Sequence, residues 1–176
     1  MKFLAISGSA RAQSTNTALL RAVADIAGPK HEVSVFADLA ALPVFSPDLE
    51  ASPLPLSVSL FVEAIRASDA VLVSSPEYVR AIPGGLKNAI DWLVSRDEII
   101  AKPIALLHAS HRGDDMLGQL RLVLSTVSAQ FYPDLFLRFE LMKATPAQVN
   151  DHMQGPEARQ AVLTFLNAIE ERAIAS

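Results

Sequence analysis

The chain has 176 residues, a formal net charge of −4, no cysteine, and hydrophobic residues at 51% of its positions. That length suits one domain burying roughly 70% of its unfolded surface, and the absence of cysteine excludes disulfides, thiolate nucleophiles and cysteine-ligated iron–sulfur clusters. The acidic balance argues against general nucleic-acid binding, which needs a concentrated basic patch.

Mean hydropathy is +0.29, high for a chain that is not embedded in lipid. No window reaches the ~18 uninterrupted apolar residues of a spanning helix, so the surplus is assigned to a buried sheet and no membrane partner is expected. Phe3–Ile6 is a continuous apolar run starting almost at the initiator Met. It stops at Ser7, short of the ~7–15-residue apolar region of a signal peptide, so a first strand and a cytoplasmic location are expected. A helix follows, with Ala18, Leu19, Ala22, Val23 and Ile26 on one face and Gly28-Pro29 as its stop. His31–Phe36 reads as a second strand interrupted by polar residues.

Asp38–Pro55, carrying Pro43, Pro47, Pro53 and Pro55, is a long irregular connection, either a functional or interface loop or an inert stiffened linker. A second helix presents Leu56, Leu60, Phe61, Ala64 and Ile65, and Val71–Val73 is a third strand. Behind Pro83 comes a helix with Leu86, Ala89, Ile90 and Leu93. Ile104–Leu107 is a fourth strand, followed by a stripe of Leu117, Leu120, Val123, Leu124 and Val127. Asp134–Phe139 is a fifth strand, and Val162, Phe165, Leu166 and Ile169 mark a last helix. Strands one, three and four are unbroken apolar runs, the mark of strands covered on both faces; two and five read as edges. The expected fold is therefore α/β: a single domain over residues 1–176, with a five-stranded parallel sheet in the order 2-1-3-4-5 and helices on both faces, a flavodoxin-like three-layer sandwich.

Open α/β sheets bind ligands in the crevice beyond the carboxyl ends of their strands, and three loops of this chain fall there. The first, Ser7 to Asn16 (SGSARAQSTN), carries neither G-x-G-x-x-G nor G-x-x-x-x-G-K-[ST], which excludes a dinucleotide Rossmann turn and a P-loop. It places Ser9, Arg11, Ser14, Thr15 and Asn16 just ahead of a helix, whose free N–H groups and partial positive charge suit an anion. A charge-assisted hydrogen bond there is worth about 1.5–3 kcal/mol. The plainer reading makes Ser14 or Asn16 an ordinary cap and Arg11 a solvated charge, and this loop alone leaves both open. The second loop, SSPEYVRAIPGG from Ser74 to Gly85, brings Tyr78 to the same edge. Two such loops suggest a phosphate-bearing ring cofactor, and a flavin fits. The third loop, Ala109–Asp115 (ASHRGDD), carries Ser110, His111, Arg112 and Gly113. His31, His108, His111 and His152 are scattered without metal spacing, so no metal is expected.

Gly8-Ser9-x-Arg11-x-x-Ser14-x-Asn16, Pro76-Glu77-Tyr78 and Ile82-Pro83-Gly84-x-Leu86-Lys87-Asn88-Ala89-Ile90-Asp91-Trp92 together resemble the NAD(P)H-dependent FMN reductase family. So does Leu42-Pro43-Val44-Phe45-x-x-Asp48-Leu49-Glu50. The resemblance runs in order through the fourth strand and the helix after it. That family has a flavodoxin-like fold and includes quinone, chromate and azo-dye reductases. The resemblance implies that Ser9, Arg11, Ser14 and Asn16 hold the FMN phosphate, and Thr15 of the same loop is a further cofactor-binding candidate. It implies that Pro76, Glu77 and Tyr78 line the isoalloxazine, mostly through backbone groups. For Glu77 a loop-shaping role is favoured over acid–base work, and for Tyr78 the alternative is a surface aromatic. Ser110, His111, Arg112 and Gly113 would face the pyrimidine end of the ring, where relatives often carry a glycine-rich turn. A cation there would favour the reduced flavin; alternatively His111 and Arg112 point to solvent and only backbone matters. His108 reads as a satisfied buried histidine and Trp92 as packing.

The implied activity is two-electron transfer from NADH or NADPH through FMN to a quinone, flavin, azo or nitro compound or metal oxyanion. The donor leaves before the acceptor binds the same face, and no side chain need be an obligatory acid or base. One rival is a flavodoxin-type electron carrier, disfavoured by the modest charge and by the lack of a T-x-T-G-x-T-like loop. The other is a phosphate-binding α/β interaction module without flavin. The apolar surface, including Leu54-Pro55-Leu56 and the helix bearing Trp92, leads to the expectation of a homodimer or homotetramer.

Overall fold

Apolar runs that form strands need both faces covered, and the computed structural model, which describes residues 1–50 and 53–175, meets that need with one sheet between two helical layers. The strands are β1 (Lys2–Ser7), β2 (Glu32–Phe36), β3 (Ala70–Ser74), β4 (Ile104–His108) and β5 (Phe131–Arg138). They pair in parallel in the order β2-β1-β3-β4-β5. This is the expected flavodoxin-like order. β3 and β4 are buried at every residue, and β1 at every residue after Lys2. Edge strands β2 and β5 are half-exposed.

The helices are α1 (Thr15–Ala27), α2 (Leu56–Ala67), α3 (Gly84–Asp91), α4 (Asp97–Ile100), α5 (Asp114–Val127), α6 (Pro146–Met153) and α7 (Pro156–Ala175). Strand side chains alternate between faces, so neighbouring residues of one strand feed different cores. Phe3 and Ala5 join α1, α6 and α7. Leu4 and Ile6 join α2, α3, α4 and α5. No helix among the described residues is long and apolar enough to cross a membrane.

Three details depart from the sequence expectation, and a fourth narrows a reading that the sequence left open. β2 begins at Glu32, leaving His31 buried behind it with Nε2 3.1 Å from Asn167 Oδ1. β5 begins at Phe131 and runs through Pro133, and its register with β4 shifts between Ile104 and Leu106. A proline lacks the N–H for a central ladder but is tolerated on an edge strand. α4 is a single turn, and α6 buries only Val149 and Met153, a stripe too thin to read as a helix. The connection 38–55 is no free linker. It forms 3-10 turns at Leu39–Ala41 and Pro47–Leu49. Its Phe45 N–H donates to Asn88 Oδ1 at 2.8 Å, and Pro43 O accepts from Asn88 Nδ2 at 3.0 Å and from Trp92 Nε1 at 2.8 Å. Trp92, fully buried, packs edge-on against Phe45, as the packing role expected. Residues 51 and 52 of that connection lie outside the described residues.

Candidate active site

The loops after β1, β3 and β4 meet beyond the carboxyl edge of the sheet, and Gly8 is why they can. A Cβ at Gly8 would stand 2.5 Å from Ser75 Oγ and 2.9 Å from a Leu86 methyl, so any larger residue would force the β1 and β3 loops apart.

The β1 loop is ordered by its own hydroxyls. Ser9 Oγ accepts Arg11 N–H at 3.2 Å, and Ser14 caps α1 by accepting Thr17 N–H at 3.2 Å. The cap reading of Ser14 therefore holds, yet its hydroxyl hydrogen, like that of Ser9, remains available to donate. Asn16 Oδ1 accepts Ser74 Oγ at 2.9 Å, which leaves its amide N–H groups as the free end. Thr15 and Asn16, at the first two positions of α1, have N–H groups with no helical carbonyl to bond.

The β3 loop folds back on itself. Tyr78 and Ala81 exchange backbone hydrogen bonds at 3.1 and 3.0 Å around Val79 and Arg80, which sit at φ 53° and 60°. Such a two-residue turn ordinarily takes Asn-Gly; a β-branched residue at positive φ is strained, and strain of this kind gathers at functional sites. Arg80 anchors the turn through Asp115 at 2.6 Å and through its carbonyl, which accepts from Gln119 at 3.0 Å. Glu77 Oε2 accepts the Met116 N–H at 3.1 Å. α5 begins behind Gly113, which has no side chain with which to cap it, so Glu77 supplies the acceptor from another loop. Its loop-shaping role is thereby explained.

In the β4 loop two side chains hold the backbone of Arg112, whose N–H is accepted by Ser110 Oγ at 3.0 Å. His108 is buried and its Nε2 lies 2.5 Å from Arg112 O. A carbonyl can only accept, so the imidazole hydrogen sits on Nε2. Burial holds the His108 pKa below its ordinary value, with Arg138 adding to that and the Arg112 carbonyl opposing it. His108 is thus neutral near pH 7. Among the described residues nothing bonds its buried Nδ1, so the expected satisfied histidine is satisfied at one nitrogen only. Gly113 packs against the ring at φ 99°, with a built Cβ 2.9 Å from Nε2.

Between these loops lies a cavity of about 290 Å³. It gathers Thr15, Asn16, Pro76, Glu77, Ser110, Arg112 and Gly113 of the expected site. It does not gather Ser9 and Ser14, which are buried beneath the loop, nor Arg11 and His111, which are exposed, nor Tyr78, which stands half-exposed at its rim. His108, Met142 and Lys143 line it without having been expected. His108 had a signal, its place at the carboxyl end of a central strand; the other two follow β5, where no motif points. A larger recess of about 490 Å³ beside α7 is lined by Phe139, His152 and Glu157 among others, with no lysine or arginine, and does not suit a phosphate.

Two cations of the cavity lining, Arg112 and Lys143, and Arg11 nearby in the β1 loop keep their charge free for a ligand. Asp114 and Asp115 are taken by Arg138 and Arg80 at 2.5 and 2.6 Å. Arg11, Arg112 and Lys143 form no ion pair among the described residues. No group of three or more potential metal ligands occurs among them either. Free helix N–H groups, hydroxyl and amide donors and unpaired cations fit a phosphate monoester, and the open wall at Pro76 and Gly113 fits the ring of a flavin mononucleotide.

The model of the NADPH-dependent FMN reductase family matches residues 1–140. The chain belongs to that family. This family member is 40% identical over 112 residues to an NAD(P)H-dependent FMN reductase of Pseudomonas aeruginosa, across 62% of this chain and 60% of that protein. It is 35% identical over 116 residues to a quinone reductase of Escherichia coli K12, across 64% and 61%. Both matches thus span about three-fifths of the relatives' lengths. Among solved structures, the flavoenzyme NAD(P)H:(acceptor) oxidoreductase FerB of Paracoccus denitrificans superposes with a TM-score of 0.74 at 26% identity, over 97% of each chain.

Proposed function

We propose that this chain is an FMN-dependent NAD(P)H oxidoreductase that passes two electrons to a small-molecule acceptor of the quinone class. The observation that carries the reading is the meeting of unpaired cations and free donors from separate loops in one crevice, in a member of this family. Bound FMN would supply the redox chemistry, taking a hydride and releasing two electrons.

The protein's share is position and charge. Ser9, Arg11, Ser14, Thr15 and Asn16 hold the phosphate. Pro76, Glu77 and Tyr78 wall the ring, and the Ser110–Gly113 backbone faces its pyrimidine end, with Arg112 beside it and His111 turned outward. Neither ionisable group at the back of the cavity is placed as an acid or base: Glu77 is engaged with the α5 N-terminus, and the His108 Nε2–H is committed to Arg112 O. This supports a scheme in which the flavin carries the chemistry and no side chain acts as an obligatory acid or base.

The reading includes a cytoplasmic location, where reduced nicotinamide nucleotides are available. It includes a homo-oligomer, supported by the exposed Leu56 and Leu60 one turn apart on α2. The test is steady-state turnover of NADH or NADPH with benzoquinone. The reading expects oxidation that depends on added FMN and gives parallel reciprocal plots. A flavodoxin-type carrier would take up FMN and leave both nucleotides unoxidised, and that result would replace the enzyme reading.

A further inference from the structure

Lys143 stands in a conformation that its side chain does not favour. Ala144 N–H bonds Leu141 O at 2.9 Å, closing a four-residue turn in which Lys143 is the third residue at φ 68°. That position ordinarily goes to glycine or asparagine, since a Cβ at positive φ meets its own carbonyl. The turn is held from both sides. Thr15 Oγ1 donates to Ala144 O at 2.9 Å. Directly after it, Thr145 and Gln148 form a reciprocal capping box on α6 behind Pro146. On its near side Phe139 N–H bonds His108 O at 2.9 Å. The backbone is thus hydrogen-bonded on both sides of Lys143, which helps its surroundings hold it at positive φ.

Those restraints hold the residue at the rim shared by the candidate site and a second recess lined by Glu140, Gln148 and His152 among others. Met142 and Lys143 line the cavity that Thr15 and Asn16 line with the free N–H end of α1. Glu140, three residues away, forms no ion pair with Lys143, and Asp114 is held by Arg138. The ammonium is exposed and unpaired among the described residues. It is also the only cation of the cavity lining that follows β5, beyond the residues 1–140 that the family model covers.

We infer that Lys143 is a phosphate-binding residue, supplied by the turn after β5, which would hold the FMN phosphate together with the N-terminal end of α1. The inference rests on the FMN reading above. A lysine acts here as a point charge needing no fixed fork geometry, which suits a side chain reaching from a turn. The nearness of Thr15 and Asn16 assigns the anion to FMN; the phosphate of a nicotinamide donor is the other source of the same chemistry.

The test compares FMN with riboflavin, which has the same ring and ribityl chain but no phosphate. Quenching of flavin fluorescence on titration with apoprotein gives both dissociation constants for wild type and for Lys143→Gly. Glycine accepts the positive φ, so the apoprotein of the variant should melt no lower than wild type. FMN affinity should fall about tenfold, the loss of one partly exposed charge-assisted bond, and riboflavin affinity should hold within twofold. Lys143→Arg should restore most of the FMN affinity. FMN affinity within twofold of wild type, or an equal loss for both flavins, would overturn the inference. An unchanged FMN affinity with a raised KM for NADPH but not NADH would assign Lys143 to the donor's phosphate instead. Wild-type apoprotein that bound riboflavin and FMN equally would also overturn it. Wild type binding neither flavin would remove the FMN reading itself.

Discussion

The loops after β1 and β4 border the same crevice and share one device, a serine hydroxyl that accepts the N–H of the arginine two residues on, Ser9 for Arg11 and Ser110 for Arg112, but they differ in what else holds them. After β1 the side chains do the ordering: Ser9, Ser14 and Asn16 are buried and hydrogen-bonded, and they present donors at fixed positions. After β4 the side chains of His111 and Arg112 are exposed, and besides the Ser110 hydroxyl the order comes from a buried histidine gripping the Arg112 carbonyl against Gly113. A phosphate needs several convergent donors, whereas the edge of a ring needs a backbone of one definite shape. The first demand selects residue types; the second selects a glycine and whatever pins it.

Breaking the β4 loop should have the largest effect on stability. Gly113→Ala puts a Cβ at φ 99° against the His108 ring. The left-handed conformation costs about 1–2 kcal/mol and overpacking about 1–3 kcal/mol. A total near ~3 kcal/mol lowers Tm by about 6–12 °C in a chain of this size. In a His108→Ala background the overpacking share should vanish, so a double-mutant cycle by thermal melting should show coupling. Additive effects would mean that the ring and Gly113 do not constrain each other.

Arg11→Ala breaks the β1 loop in the other way, costing ligand and not fold. Loss of one charge-assisted bond of about 1.5–3 kcal/mol lowers FMN affinity roughly 10- to 150-fold, with apoprotein Tm unchanged. A titration giving affinity within twofold of wild type would make Arg11 a bystander and leave the phosphate to hydroxyls and backbone.

His108 adds a pH dependence confined to the β4 side. Its folded pKa is depressed by burial, so below the ordinary value of about 6.5 the unfolded chain takes up a proton that the folded chain refuses. The stability it contributes is complete above that value and is lost as pH falls through it towards the depressed folded pKa. His108→Gln should therefore narrow the difference in Tm between about pH 7.5 and about pH 5.5. An unaltered difference would place the pH dependence elsewhere.

The smallest effect belongs to the exposed side chains. Arg112 lines the cavity and His111 does not. A cation near the flavin favours its reduced form; with solvent screening the contribution falls to about 1 kcal/mol, or roughly 20 mV for a two-electron couple. Redox titration of the FMN-bound protein should show the midpoint lowered by that amount in Arg112→Ala and unmoved in His111→Ala. Equal shifts in both variants would restore His111 to the ring edge.

What the sequence made legible follows the same division. Strands β1, β3 and β4 were readable because burial on both faces demands unbroken apolar runs, and the Ser14 cap because a helix start demands a side-chain acceptor. The start of β5 was hidden by Pro133, whose effect depends on the strand lying at an edge. α6 was hidden because two buried residues make no period. His108 was visible as a residue but not as a clamp, since its partner is a carbonyl that every residue carries. Lys143 was invisible because its place depends on a turn whose geometry contradicts its own preference.

The central claim, that the crevice beyond β1, β3 and β4 holds FMN, is tested most directly by titrating apoprotein with FMN and following flavin fluorescence and absorbance. The account predicts saturable quenching at one FMN per chain, a yellow complex after gel filtration, and a Tm that rises with FMN, by mass action about 2.7 kcal/mol of added stability at 100 times the dissociation constant. No quenching and an unmoved Tm at millimolar FMN would contradict it.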